Sequence, residues 1–419
     1  MAYLDRFIGP ETNLSGLDAA GWLDIYRKAN ELQEHDLEFE KEARNCVLEL
    51  QQGDLKRYKV WEIICSVSRD GFQKIYDSLG VKVSERGESF YRHMLGRIVA
   101  YLEHKKLITL SDGALCVYTN SIIGRGGASL PMIVRKSDGG YNYSTTDLAA
   151  LSYRVKEEMA EWIIYVVDEG QSKHLAMLFE VGRMAGFYSP RNVRLDHVAF
   201  GVITGKDGKR LKSRSGDLLP LQEFLDTAQK EALNNLNDQL EKGSVRIKQE
   251  NFDQASKIIA INAVKFADLS TQRNKAYKCD FSRMMNLESG GVLYIMYAFA
   301  RINSILSKQG IVEQSFFRDT AWPVNMRSSM PEYLHESEKR LLLMLINFPD
   351  VLIQSVESLS PHVLANYLND VSVCYNEFFR DCRVIGDDVE TFRVLLTELA
   401  GRVLDNCMHL LGLVPLQEM

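Results

Sequence analysis

The residues best suited to chemistry fall in four short segments. Gly205-Lys-Asp-Gly-Lys-Arg-Leu-Lys-Ser-Arg-Ser-Gly216 places Lys206, Lys209, Arg210, Lys212 and Arg214 on a glycine-punctuated loop directly after the apolar run His197 to Ile203. Cations and free N–H groups at the end of a strand can surround phosphate oxygens, although the same composition also makes a solvated charged hairpin. The neighbouring Gly201-Val-Ile-Thr-Gly-Lys-Asp207 is one residue short of a P-loop and ends in Asp where a hydroxyl is needed, so it does not support that nucleotide fold. In Asp138-Gly-Gly-Tyr-Asn-Tyr-Ser-Thr-Thr-Asp147 the glycine pair makes a turn. Asp147 then stands where a β segment gives way to a helix, either as a capping carboxylate or as one free to face a ligand. Val167-Asp-Glu-Gly-Gln171-Ser-Lys-His174 lies at the carboxyl end of the strongest strand, where open α/β sheets hold ligands; Gln171 and His174 serve there as ligand contacts or as local hydrogen-bond partners. Glu88, in Glu85-Arg-Gly-Glu88-Ser-Phe-Tyr91, is a carboxylate ahead of a helix, favoured by the macrodipole or turned to a ligand. The eight histidines form no His-x-x-x-His pair and no Gly-x-Ser-x-Gly elbow occurs, so neither a metal ligand nor a covalent nucleophile is predicted.

The elements that must position these segments change character along the chain. From Gly16 to about Leu79 apolar residues such as Trp22, Ile25, Leu32, Phe39, Ala43, Val47 and Trp61 recur at helical spacing. Between Gly80 and Ile203 the pattern predicts a strand over Pro131–Val134, a helix from Asp147, a strand over Trp162–Val167, a helix to Ala185 and a strand over His197–Ile203. That alternation implies a parallel α/β sheet. After Gly216 it predicts helices alone, ending in a bundle, with the least ordered link at Gln309 to Met330. In the bundle Tyr294, Tyr297 and Arg301 share one helix face, and Tyr375 and Phe379 another; aromatics so spaced form either core or a stacking surface.

Composition bounds the answer. The 419 residues, 46% hydrophobic and 25% charged, exclude a disordered, collagenous or small disulfide-stapled protein and leave room for two or three domains. A net charge of -6 means that a nucleic-acid partner must be met by local basic surface. Seven scattered cysteines without a Cys-x-x-Cys pair favour reduced thiols in a cytosol-like compartment. Apolar runs fall far short of the ~20 residues that span a bilayer, and the N-terminus has no targeting pattern.

Taken together, the segments resemble the arginyl-tRNA synthetases, a class I family. Lys136 to Ala150 is similar to that family's "KDGGYxYxTTDLAA" block, Trp162 to His174 to its "iYvvDxgQxxH", His197 to Gly201 to its "HvxFG", and Gly205 to Gly216 to its degenerate "KMSKS" loop. Ala263 to Ser270, Tyr294 to Arg301, Ser360 to Leu364 and Leu411 to Met419 continue the likeness in order. It implies an α/β catalytic portion, a partial class I Rossmann-like fold with a helical insertion at its start, over 1–278, followed by an all-α anticodon-binding bundle over 279–419. It implies that Asp147 and Glu88 bind the arginine side chain, that Tyr143 packs against it, and that Gln171 holds the main-chain end. It places His174, His197, Phe200, Lys212 and Ser213 near ATP, with Lys209, Arg210, Lys212 and Arg214 supplying the catalytic cations. Tyr294, Tyr297, Arg301, Tyr375, Phe379 and Met419 would face the anticodon. The implied substrates are arginine, tRNA(Arg) and ATP with Mg2+, in the cytoplasm, with no protein-bound metal and no membrane. Two motifs depart from the family: Arg210-Leu-Lys-Ser-Arg214 replaces a plain "KMSKS", and Ser289-Gly-Gly-Val292 stands where the family has "GNTA". The family's "HIGH" signature has no counterpart, and Met1 to Phe7 resembles the interior of a family helix. The expectation is an incomplete copy, poor or inactive as a catalyst, with exposed sheet surface and with the missing N-terminal half, if expressed separately, as a partner. The alternative is a non-catalytic tRNA- or protein-binding remnant.

Overall fold

The computed structural model describes residues 1–9, 16–123, 127, 129–204, 220–241, 247–278, 280–285, 291–310 and 331–416. Contacts divide the chain into two compact units, Met1–Val198 and Ala199–Met419.

The first unit opens with α1 (Ala19–His35), α2 (Leu37–Gln52) and α3 (Leu55–Leu79), as the periodicity predicts. Asp18, Asp36 and Asp54 each accept backbone N–H groups of the turn that follows, so an acidic cap starts every one of these helices. Their shared core is small, centred on Ala2, Phe39 and Cys46, and no residue of α3 is buried. A larger core follows. A 3-10 turn (Glu88–Met94), α4 (Leu95–His104), α5 (Tyr143–Lys156) and α6 (Ser172–Ala185) pack with β1 (Thr109–Ser111), β2 (Ala114–Ile123) and β3 (Ser129–Arg135). Leu102, Val117, Val134, Leu148, Leu151, Leu178 and Val181 are fully enclosed there, each worth about 1.5–3 kcal/mol in burial.

The sheet corrects one expectation. β1, β2 and β3 are antiparallel, with Thr109 opposite Cys116 and Ser111 opposite Ala114, so the strand predicted over Pro131–Val134 lies in an antiparallel sheet and not in a parallel one. The reason is local: Asp112 and Gly113 take φ of 47° and 78°, a two-residue turn that returns the chain directly, whereas a parallel pair needs a crossover. β4 (Trp162–Asp168) pairs with β5 (Arg194–Phe200). One face of β4 turns Ile163 toward the core, and the other leaves Trp162, Ile164 and Val166 exposed.

The second unit contains β6 (Ile203–Thr204), α7 (Leu221–Glu241), α8 (Phe252–Ser270), β7 (Tyr277–Lys278), α9 (Phe281–Met284), α10 (Val292–Lys308), α11 (Glu336–Ile346), α12 (Phe348–Glu357), α13 (Pro361–Asp381) and α14 (Glu390–Leu410). β7 pairs in parallel with β6, a strand after Gly216 that periodicity does not predict because two residues carry no pattern. α10 is buried on nearly every side through Ile295, Met296, Ala298, Phe299 and Ile302, and it packs against α8, α13 and α14. The link over 311–330 lies outside the described residues. Six described cysteines are free thiols, and burial pushes Cys407 up to about 12.

One ion pair in the bundle is enclosed. Glu338, 1% exposed, accepts from Arg393 Nε at 2.7 Å and from the His335 backbone N–H at 2.7 Å. Glu338→Ala strips Arg393 of this partner and removes one half of the capping box at the start of α11, and is expected to cost about 3 kcal/mol. The exposed Arg340–Glu377 pair, removed by Arg340→Ala, is expected to cost under about 1 kcal/mol. Urea denaturation checks both, and equal midpoints for the two variants would refute the role given to Glu338.

Candidate functional site

The site in the first unit is built on the openings of α5 and α6. Thr145 Oγ1 donates to Val134 O at 2.5 Å, fixing the first turn of α5 to the end of β3. Because α5 begins at Tyr143, Asp147 sits one turn inside the helix and does not cap it, which corrects the expected start at Asp147. Tyr143 and Asp147 are four residues apart and so share a face. The short 3-10 turn Glu169–Gln171 leads into α6, putting exposed Gln171 one turn ahead of His174.

His174 and Asp147 meet across the two helices, with Nε2 2.7 Å from Oδ2. The Tyr143 ring stands edge-on to the imidazole, centroids 4.7 Å apart at 66°. The His174 side chain is 11% exposed against 36% for Asp147, so the imidazole is covered while the carboxylate stays open. Several polar atoms of this unit are buried without a partner, among them His174 Nδ1, Asn142 Oδ1 and the Tyr91 and Tyr165 hydroxyls. Burial raises the Tyr165 phenol above its ordinary value.

Glu88 begins the 3-10 turn that packs on α5; it is exposed and has no hydrogen-bond or ion-pair partner among the described residues. His197 Nε2 lies 3.4 Å from Val167 O, tying β5 to β4, and Phe200 is exposed at the end of β5. The cationic residues Lys209, Arg210, Lys212 and Arg214, with Ser213, lie outside the described residues. Among the described residues, no group of three or more His, Cys, Asp or Glu could hold a metal, and no helix is long and apolar enough to cross a membrane.

In the second unit, α10 presents half-buried Tyr294, Tyr297 and Arg301. The Arg301 guanidinium lies 4.6 Å above the ring of Phe379, and its Nη1 donates to Asn376 Oδ1 at 2.5 Å. Phe379 is 38% exposed, so a cation and a flat ring share an open surface. Tyr375 corrects the sequence expectation: it is fully buried against Phe378, and its ring has no face for a base. Helical spacing put Tyr375 beside Phe379, but one residue of rotation separates core from surface. Asn376 was missed because it is one of many polar residues along α13, and nothing singles it out until its partner Arg301 is seen. Met419 lies outside the described residues.

A model of tRNA synthetases class I (R), catalytic domain, matches residues 2–281, and one of the DALR anticodon binding domain matches 295–419. That order is the domain plan of a class I tRNA synthetase. The chain is 37% identical to arginine–tRNA ligase of Crocosphaera subtropica over 411 residues, covering 97% of this chain and 68% of the relative. It is 38% identical to arginine–tRNA ligase of a Cyanothece species over 419 residues, covering 99% and 70%. The solved arginyl-tRNA synthetase of Plasmodium falciparum superposes with a TM-score of 0.75 at 26% identity, over 93% of this chain and 67% of that one. The Thermus thermophilus arginyl-tRNA synthetase gives the same TM-score of 0.75 at 20% identity, over 100% and 73%, a likeness of fold. The chain belongs to the arginyl-tRNA synthetase family.

At the end of β5 one close backbone contact was passed over by motif reading. The Gly201 N–H donates to Arg273 O at 2.7 Å, and a Cβ there would lie 2.5 Å from Lys275 O. Gly201→Ala must push two backbones apart and is expected to cost about 1–3 kcal/mol. A thermal melt checks this, and an unchanged midpoint would show that the segments can separate freely.

Proposed function

We propose that this chain is an arginine–tRNA ligase that holds L-arginine at Asp147 and activates it with ATP for transfer to tRNA(Arg). The observation that carries the reading is the open carboxylate of Asp147, flanked by Tyr143 and by His174 at 2.7 Å, on a chain of this family. A guanidinium is best held by carboxylates that accept its forked donors and by a flat ring alongside. Asp147 and Glu88 supply the carboxylates, Tyr143 the ring, and exposed Gln171 an amide for the main-chain end.

ATP, a substrate throughout the class, arrives with Mg2+. His197 and Phe200 on β5, with Lys212 and Ser213, face it, while Lys209, Arg210, Lys212 and Arg214 neutralise its triphosphate. The arginine carboxylate attacks the α-phosphorus and pyrophosphate leaves, giving arginyl-adenylate. A ribose hydroxyl at the tRNA 3′ end then takes the arginyl group and AMP departs. Both steps depend on positioning and charge stabilisation more than on proton transfer. Residues 1–278 carry this chemistry. Residues 279–419 carry the anticodon surface, where Tyr294, Tyr297, Arg301, Phe379 and Met419 stack on splayed bases. The reaction belongs to cytoplasmic protein synthesis.

Asp147→Asn tests the arginine site. Loss of a charge-assisted pair is expected to cost ~2 kcal/mol or more of arginine binding, measured by titration calorimetry; equal affinities would remove Asp147 from the pocket. Arg301→Ala tests the bundle surface, and is expected to weaken tRNA binding and flatten its dependence on salt. An unchanged salt titration would place the anticodon elsewhere.

A further inference from the structure

The residue that meets Asp147, His174, is one that the family resemblance places near ATP. We infer that His174 is a positioning residue of the arginine pocket, a neutral Nε2–H donor that fixes the Asp147 carboxylate without cancelling its charge. The inference rests on the reading of Asp147 as the guanidinium acceptor.

The geometry leaves few protonation states. At 2.7 Å from Asp147 Oδ2, His174 Nε2 must carry a proton, because a lone pair facing a carboxylate at that distance would repel it. The second nitrogen, Nδ1, is buried and has no partner. An imidazolium would leave a charged N–H there with no acceptor, whereas the neutral ring leaves only an unpaired lone pair, the smaller loss. The ring is 11% exposed and braced by the edge of Tyr143 at 4.7 Å.

The consequence concerns the ligand. A lysine or a charged histidine at this position would pair with Asp147 and compete with the guanidinium for it. A neutral donor restrains one oxygen and leaves the full negative charge for a cation approaching the exposed side. Asp147 is thereby preorganised before arginine arrives, and the rotor entropy of its carboxylate is not spent on binding.

The test uses the whole chain in three variants, titrated with L-arginine and with L-citrulline, its uncharged near-isostere. His174→Phe keeps a ring against Tyr143 but removes the donor. His174→Gln restores an amide N–H at similar reach. Asp147→Asn serves as the reference for the pocket itself. His174→Phe is expected to lower arginine affinity by about tenfold or more, the worth of a hydrogen bond to a charged group. His174→Gln recovers most of that loss, and citrulline affinity stays flat, so discrimination between the two ligands narrows. In 15N-labelled protein at pH 7, His174 is expected to show a protonated Nε2 and an unprotonated Nδ1.

Unchanged arginine affinity in His174→Phe alongside a loss in Asp147→Asn would overturn the positioning role. So would a His174→Gln variant that unfolds normally yet binds as poorly as His174→Phe, or protons on both ring nitrogens. Arginine affinity that is absent from the unmodified chain, or unaltered in Asp147→Asn, would overturn the arginine reading and this inference with it.

Discussion

The first unit depends on α5 satisfying two demands at once. One face must disappear into the core, and Leu148, Ala149 and Leu151 do so completely. The other must keep Tyr143 and Asp147 open to solvent within the same three turns. The Thr145 hydroxyl reconciles the two, because its hydrogen bond to Val134 O is buried and ties the helix to β3 at the turn where the faces diverge. A slip of one residue along that contact would bury Asp147 and expose Leu148. Site geometry and core packing are therefore fixed by the same few atoms, and this couples stability to ligand recognition in this unit.

The second unit meets a related demand with a buried amide. Asn262 on α8 donates from Nδ2 to Val414 O at 2.7 Å and accepts the Val414 N–H on Oδ1 at 2.9 Å, copying one rung of a strand ladder. Lys265 Nζ adds a bond to Gly412 O at 2.6 Å. An extended segment with no strand beside it would otherwise leave these backbone groups unpaired next to the bundle. The clamp holds the chain after α14 through Gly412 and Val414. The open surface of Arg301 and Phe379 on the same bundle has the same character: a side-chain amide, Asn376, sets the plane of a guanidinium so that its flat face is available.

What the sequence made legible follows from which forces are local. Helix periodicity carried the three opening helices and the bundle, since apolar spacing and acidic caps are written within a few residues of where they act. Glu88, Tyr143, Asp147 and Gln171 were singled out through motif order, whereas the shared helix face of Tyr143 and Asp147 was hidden by the expected helix start at Asp147. Strand direction was not legible, because alternation of strand-like and helix-like runs says nothing of whether a two-residue turn such as Asp112-Gly113 closes a hairpin. That dipeptide was nevertheless a readable signal. Tyr375 and Phe379 show the limit on the bundle: their spacing places them on adjacent turns, and only packing decides that the first is core and the second is surface. The His174–Asp147 contact spans 27 residues and two helices, and no local pattern encodes it.

The two carboxylates Glu338 and Asp147 contrast an enclosed, satisfied charge with an open one. Glu338 is enclosed and satisfied by Arg393 and by a backbone N–H, so its charge is spent entirely within the protein. Had Asp147 been treated the same way, with an internal cation and full burial, a guanidinium would have to break an ion pair to enter, and most of its binding energy would be lost to that exchange. Asp147 instead remains 36% exposed and its partner is an imidazole. Exposure limits the desolvation that the empty site must bear, and a neutral donor limits rotation without supplying a competing charge. A receptor for a cation needs a carboxylate that is held but not neutralised, and the arginine pocket proposed for Asp147 and His174 rests on that pairing.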